Sequence, residues 1–328
     1  MTFLTGVHIS IGDYNFTRCG EVIIERSTAI VQDTARIKMP LTARLQAEGV
    51  VGAQVETAKA FNVGDEVSIR LIYQDYFDGL EFSGYVKRIH VGQPLEIECE
   101  DAIWLVRRKN IKKSWEKTTL EEVLEEIVSG TDIKIAGNIP TIHMEPFGLN
   151  DVDGAFALQK LADEFGLRAY IRPDGKLWCG LAYTENEGRV NYNINGNESN
   201  VISAENLKWR AKEDVKIKVK AVSIQRDNTR TEVEFGDADG ALRTLNFYNV
   251  QSKAELEAMA KQKLNELKFD GYEGKITTLL IPQCVPGMKA VLVDSMFPVR
   301  SGSYYVESVK TSYGSGGARR EIELGIKL

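Results

Sequence analysis

Histidine is scarce in this chain: among 328 residues only His8, His90 and His143 occur, and none lies four positions from another. A metal-binding helix of the HExxH kind is therefore excluded, and no histidine-based catalytic group can be assembled from neighbouring positions. The four cysteines, Cys19, Cys99, Cys179 and Cys284, are far apart, with no CxxC pair and no histidine at zinc-finger spacing. They read as buried reduced thiols, because a free cysteine packs as a small apolar residue. No run approaches the about 18 apolar residues that cross a membrane, so no membrane span is expected. The start, Met1-Thr2-Phe3-Leu4-Thr5-Gly6-Val7-His8, has neither a basic nor an apolar leader region. Synthesis in the cytoplasm without a cleaved secretion signal is the expectation. Basic charge is also in deficit: 41 Lys and Arg stand against 47 Asp and Glu, a net charge of -6. With a pI near 5.4, the chain lacks the broad basic footprint of a nucleic-acid binder, and no specific nucleic-acid binding is expected.

What is present describes a folded protein. Hydrophobic residues make up 43% and charged residues 27%, close to globular averages. The length suits about two domains with room for a smaller third. In the first third, apolar residues alternate with polar ones: Val7, Ile9 and Ile11, then Val22 to Ile24, then Arg36 to Met39 stopping at Pro40. The clearest alternation is Val67, Ile69, Leu71 and Tyr73, with a turn expected at Asp78-Gly79 and a return strand from Phe82 to Ile89. Leu95, Ile97 and Cys99 alternate with Glu96, Glu98 and Glu100, so one face is apolar and the other acidic. That is a sheet packed on one side, as in a barrel or sandwich.

The period then changes. Thr118-Thr119-Leu120-Glu121 reads as a capping box, followed by Leu120, Val123, Leu124, Ile127 and Val128 on one helical stripe ending at Gly130. A second helix is expected from Asp153, carrying Phe156, Leu158, Leu161, Ala162 and Phe165 to Gly166. A hairpin follows, turning at Pro173-Asp174-Gly175. The polar run from Asn191 to Asn200 reads as a loop or linker. The last third returns to strands around Val215 to Val219, Thr231 to Phe235 and Leu245 to Phe247, with a hairpin turn expected over Gly236 to Gly240. Ser252 and Glu255 suggest a second capping box, opening a helix over 253–269. Its stripe of Leu256, Met259, Ala260, Leu264 and Leu267 is expected to cover the outside of the C-terminal sheet, with Lys261, Lys263 and Glu266 turned outward.

Two segments about 220 residues apart repeat one design. In the first, Gly64-Asp65-Glu66-Val67-Ser68-Ile69 opens a strand and Gly84-Tyr85-Val86-Lys87-Arg88-Ile89 follows; in the second, Pro286 to Val293 and Tyr304 to Val309 take those places. Each is closed by an alternating strand, Leu95-Glu96-Ile97-Glu98 and Glu321-Ile322-Glu323-Leu324.

Together with Phe61-Asn62-Val63, Glu81-Phe82-Ser83, Glu100-Asp101, Val285-Pro286-Gly287 and Gly302-Ser303, these segments resemble the hub proteins of contractile phage tails. The families in question are the late-control D proteins and the N-terminal part of type VI secretion spike proteins. The resemblance implies an α+β, mainly β fold: two tail-tube-like β-barrels flanking a small α/β insert. In this sequence that gives a first barrel over 1–113, an insert and linker over 114–200, and a second barrel with one helix over 201–328. It also implies a homotrimer whose six barrels imitate a six-fold ring, with a tail tube protein and a central spike protein as partners. A duplicated barrel in a three-fold assembly presents six similar surfaces without six identical chains.

No motif argues for catalysis, and no cofactor or metal is expected. Asp237-Ala238-Asp239-Gly240 begins like a calcium loop, but Leu242 and Tyr248 stand where Gly and Glu are required. Gly314 to Arg320 has glycines and basic residues without the Lys-Ser/Thr pair of a phosphate loop, and reads as a hairpin tip. Acidic pairs such as Glu121-Glu122 and Glu125-Glu126 sit opposite an apolar stripe, where solvated carboxylates are ordinary. Asn15-Phe16-Thr17 and Asn197-Glu198-Ser199 match glycosylation sequons, which mean little without secretion. The one dense basic run is Arg107, Arg108, Lys109, Lys112 and Lys113, flanked by Trp104 and Trp115. It reads either as a solvated connector or as a contact with an acidic neighbouring subunit. The function expected is structural assembly; the alternatives are a cell-wall hydrolase using two carboxylates, or a carbohydrate-binding β module.

Overall fold

The computed structural model describes residues 4–44, 54–144, 146–184, 186–196, 198–224, 229–248 and 252–328. It is an α+β protein dominated by strands, with one 14-stranded sheet running through both ends of the chain. Among the described residues no helix is long and apolar enough to cross a membrane.

The alternation in the first third produces β1 (Thr5–Ile11), β2 (Tyr14–Phe16), β3 (Glu21–Ser27) and β4 (Thr34–Met39). A short hairpin of β5 (Thr42–Arg44) and β6 (Gln54–Glu56) leads through α1 (Thr57–Ala60) to β7 (Glu66–Tyr73), β8 (Phe77–His90) and β9 (Leu95–Glu100). The turn between β7 and β8 is not at Asp78-Gly79: Tyr76 N–H donates to the Tyr73 carbonyl at 2.9 Å, and Asp75 takes the left-handed conformation (φ 66°). Gly79 instead lies within β8, where a Cβ would stand 2.2 Å from the Phe77 ring. The inward faces of these strands, including Ile9, Ile37, Ile69, Leu71 and Ile97, form one core.

The insert comprises α2 (Ile103–Arg107), β10 (Asn110–Trp115), β11 (Thr118–Thr119), α3 (Leu120–Val128), β12 (His143–Met144), β13 (Phe147–Asp153), α4 (Gly154–Phe165), β14 (Leu167–Ile171) and β15 (Leu177–Leu181). The capping box of α3 sits one residue later than expected: the Thr119 hydroxyl accepts from Glu122 N–H, and the Glu122 carboxylate accepts from Thr119 N–H. The α3 stripe is buried throughout. On α4, Asp153 caps the N-terminus and Gly166 closes the helix in the left-handed conformation (φ 65°). Phe156, however, is 55% exposed; Ala155, Ala157, Leu158 and Leu161 face the core instead.

The second β region consists of β16 (Arg189–Asn193), β17 (Val201–Ser203), β18 (Leu207–Arg210), β19 (Ile217–Ile224), β20 (Arg230–Gly236), β21 (Ala241–Tyr248), α5 (Lys253–Leu267), β22 (Gly271–Thr278), β23 (Lys289–Val293), β24 (Gly302–Gly314) and β25 (Gly317–Lys327). The stretch expected as a linker thus begins as β16, which pairs in parallel with β23. Val190 and Tyr192 turn into the second core beside Ala290 and Leu292, which is why so polar a run still makes a strand. The sequon asparagine Asn197 lies outside the described residues.

A further departure concerns β19–β21 and α5. They form a separate three-stranded sheet in the order β20-β19-β21, with a small core of its own. Gly236 to Gly240 is not a hairpin turn, because β21 pairs in parallel with β19 on the side away from β20. The chain passes tightly around Ile217: a Cβ on Gly236 would stand 2.3 Å from the Ile217 carbonyl oxygen, and one on Gly240 2.6 Å from its carbonyl carbon. Leu256 and Ala260 of α5 pack on Val219, Ala221 and Val233 of this sheet, so the helix covers an insertion and not the outside of the second barrel-like sheet. Lys261 is exposed as expected, 4.8 Å from the Phe235 ring centre. The side chains of Glu255 and Glu266, invoked for the cap and the outer face, lie outside the described set.

Candidate assembly interface

The duplication is visible as strand order. In the first copy the ladder runs β1-β7-β8-β9-β4-β3, and in the second β16-β23-β24-β25-β22 followed by β17 and β18. Matched by their place along the chain, the strands take the same spatial order in both copies. Every ladder keeps its direction except the first, where β1 is antiparallel to β7 and β16 is parallel to β23. Finer details also recur. Gly64 N–H donates to the Val86 carbonyl at 2.8 Å and Val86 N–H to the Asp65 carbonyl at 2.9 Å; in the second copy Gly287 donates to Val306 at 3.0 Å and Val306 to Met288 at 2.9 Å. Both glycines have positive φ, 96° and 87°. A register shift falls between Val86 and Arg88 in one copy and between Val306 and Ser308 in the other. Neither sheet closes into a complete barrel by strand ladders among the described residues.

The copies join edge to edge. The tight turn at Ser315-Gly316 lets β24 and β25 run long, and β24 then pairs with β3 from Ser308 opposite Ser27 to Tyr313 opposite Val22. Buried polar groups clamp this seam. Tyr73 O–H donates to the Ala318 carbonyl at 2.6 Å, and Arg320, which is fully buried, pairs with Glu81 and donates to the Leu280 carbonyl. Arg320 is therefore no part of an exposed hairpin tip. From the insert, Arg168 reaches the seam with an ion pair to Glu307 at 2.8 Å and a hydrogen bond to the Thr28 hydroxyl at 3.0 Å.

Beside the seam lies a cavity of about 270 Å³ lined in part by Arg26, Asp33, Glu81, Asp101 and Arg172. Two carboxylates in a cleft are what a hydrolase reading would look for, but here each oxygen of the pair holds a structural donor. Asp33 accepts from Arg26 Nε at 2.8 Å and Ser27 N–H at 3.1 Å, while Asp101 accepts from Asp33 N–H at 2.8 Å and Ile103 N–H at 2.9 Å. Burial, and then the charge of Asp33, push the Asp101 carboxyl well above the ordinary carboxylate value. The folded chain therefore binds this proton more tightly than the unfolded chain, and stability falls as pH rises from about 4 through the raised value. Asp101→Asn is expected to make that fall shallower between about pH 4.5 and 7.5. Urea midpoints of both proteins across this range check it; parallel slopes would refute the assignment.

The basic run is largely consumed within the chain. Arg107 pairs with the buried Glu100 at 2.6 Å, Lys113 pairs with Glu126 at 2.5 Å, and Lys109 donates to the Glu126 carbonyl. Arg108 is exposed, its guanidinium 5.3 Å from the Trp104 ring centre, and Lys112 points outward from β10. Asp237 of the suspected calcium loop accepts from Lys268 at 2.7 Å and from Ile217 N–H at 3.1 Å, and no metal-binding cluster occurs among the described residues. The four cysteines are free, and burial raises the thiols of Cys99 and Cys179 to about 12. The three histidines are exposed and dispersed, His90 standing 3.1 Å from Glu98. Sequence reasoning missed the seam, because its partners are more than 200 residues apart and no local pattern marks Arg320 or Glu81 as buried.

No protein-family model and no curated protein sequence matches the chain. Solved structures do. A tail protein from Neisseria meningitidis is similar over 98% of this chain and 96% of its own, with TM-score 0.67 and 13% identity. The 43 kDa tail protein of prophage MuSo2 from Shewanella oneidensis matches over 97% of both chains, with TM-score 0.64 and 15% identity. An Escherichia coli component of the type VI secretion system, described as similar to T4 bacteriophage tail proteins, matches over 97% of this chain and 76% of its own, with TM-score 0.59 and 11% identity. Across nearly its whole length, then, this chain has the fold of phage tail proteins and of a type VI secretion component.

Proposed function

We propose that the chain is a structural hub of a phage tail or phage-like contractile injection system, of the late-control D type. Three copies form a ring that joins a six-fold tail tube to a three-fold central spike. The observation that carries this reading is the shared strand order of the two copies: a chain built as two like units can match a six-fold partner with only three subunits. The proposed units are 1–113, 114–200 and 201–328, with α2 and β10 at the end of the first stretch packed into the core of the insert and β16 of the middle stretch lent to the second sheet. The tail tube protein and the spike protein are the partners, the virion tail or baseplate the location, and the role is non-enzymatic. Of the basic run, Arg108 and Lys112 are the groups positioned to meet an acidic neighbour, since Arg107, Lys109 and Lys113 already have partners within the chain.

Light scattering over a concentration series tests the stoichiometry. Three chains of 36.6 kDa give a particle of roughly 110 kDa, favoured at high protein concentration by mass action. A two-fold dimer at every concentration would refute the ring.

A further inference from the structure

We propose that neighbouring chains join by pairing the outer edge of β8 with the outer edge of β18, repeating between chains the junction that β24 and β3 make within one chain. This rests on the ring reading above and assigns its interface. Each copy has one edge of the β8/β24 kind and one of the β3/β18 kind. The internal seam uses β24 and β3. What remains is one free edge of each kind, on opposite copies, and no ladder among the described residues covers either. Because the two free edges lie on opposite copies of the chain, a contact that pairs one with the other is head to tail, which gives a closed ring or an open filament.

The matched bulges fix the register. Thr28 N–H donates to the Glu307 carbonyl at 3.1 Å, with Ser308 opposite Ser27. In an antiparallel ladder this turns both backbone groups of Val309 toward β3. Glu307, Ser308 and Val309 correspond to Lys87, Arg88 and Ile89, so the Lys87 carbonyl and both backbone groups of Ile89 point out of the first copy, where no ladder among the described residues meets them. On the other edge, Ile24 stands opposite Ala35 and Ala35 opposite Cys99, while Leu207 stands opposite Gly274 and Gly274 opposite Leu324. Leu207 therefore corresponds to Ile24, and Arg210 to Ser27. The pairing between chains sets Arg88 opposite Arg210, Ile89 opposite Trp209 and His90 opposite Lys208.

Ile89 and Trp209 are both half-buried and give the junction an apolar centre. Two of the polar groups around them have acids one strand behind: Glu98 lies 3.1 Å from the His90 ring, and Glu273 lies 3.0 Å from the Arg210 guanidinium. Lysine and arginine along an exposed edge also discourage pairing with unrelated strands, which suits edges that must wait for their own partner.

The full chain carrying His90→Cys and Lys208→Cys, both at exposed positions, tests the register under mild oxidation. The double variant is expected to give covalent dimers and trimers on a non-reducing gel, ending at three chains, while each single variant gives none, because the contact is head to tail. A trimer by light scattering that yields no cross-link in the double variant would overturn the edge pairing and leave the ring reading intact. Cross-linked ladders running well past three chains would keep the edge pairing and overturn the ring. Linked dimers from either single variant, or an unlinked monomer at every concentration, would overturn both.

Discussion

Glu81→Ala is expected to destabilise the protein by about 3–5 kcal/mol, because it strands the Arg320 guanidinium in the seam between the two copies with no counter-charge. Arg320 is fully buried and Glu81 is 6% exposed. The lost partner is a charge inside the fold, in contrast to surface pairs such as Lys59 with Glu56, worth a few tenths of a kcal/mol at most. Glu81 also lies 3.4 Å from the Thr311 hydroxyl of β24, so one substitution loosens both the ion pair and the strand that carries the junction. Replacing the pair together, Glu81→Leu with Arg320→Met, is expected to recover most of the loss, since two apolar side chains carry no desolvation penalty. Recovery stays incomplete because the Leu280 carbonyl loses its guanidinium donor. Chemical denaturation of the three proteins measures this. A Glu81→Ala midpoint within error of the parent would show that the pair contributes nothing to the seam.

The parts of this fold legible from sequence are those whose physics is local. Period-two alternation located β1, β3, β4, β7 and β9, since each turns one face to a core. Glycine placed the ends: Gly166 stops α4, and the paired Gly64 and Gly287 reveal the duplication because both backbones need a positive φ. What was not legible is which edge meets which. The side chains of β16 do alternate, Val190 and Tyr192 turning inward between Arg189, Asn191 and Asn193, but the asparagine-rich composition around them suggested a linker. Similarly, glycine and aspartate around Gly236 to Gly240 fit a hairpin equally well as a passage past the end of β19; only the parallel ladder to β21 separates the two. The candidate interface suffered most. A dense basic run attracts notice in sequence, yet three of its five cations are spent on Glu100 and Glu126, whereas the seam residues Tyr73, Glu81 and Arg320 look ordinary until distant strands are brought together.

Leu256→Asp is expected to unfold the β19–β21 insertion while leaving the duplicated sheet in place. Leu256 is fully buried, and its neighbours in the small core are Val219, Ala221, Val233 and Ala260. A carboxylate there loses the apolar contacts of leucine, about 2–5 kcal/mol, and adds the cost of a buried charge with no cation inside that core. So small a cluster has little reserve against such a loss, and it shares no strand ladder with the large sheet. The sequence pattern alone, which lays α5 on the outside of the second barrel, forecasts the opposite outcome: lost protection across β23 and β24. Hydrogen exchange distinguishes the two. Amides of β19 and β20 should exchange at rates near those of an unfolded segment, whereas Ala290 to Val293 and Tyr304 to Val309 keep their protection, because their partners are β16, β25 and β3. Loss of protection throughout β24 would mean that α5 and its sheet brace the copy that carries the junction. The internal seam, and any ring built on it, would then depend on the insertion.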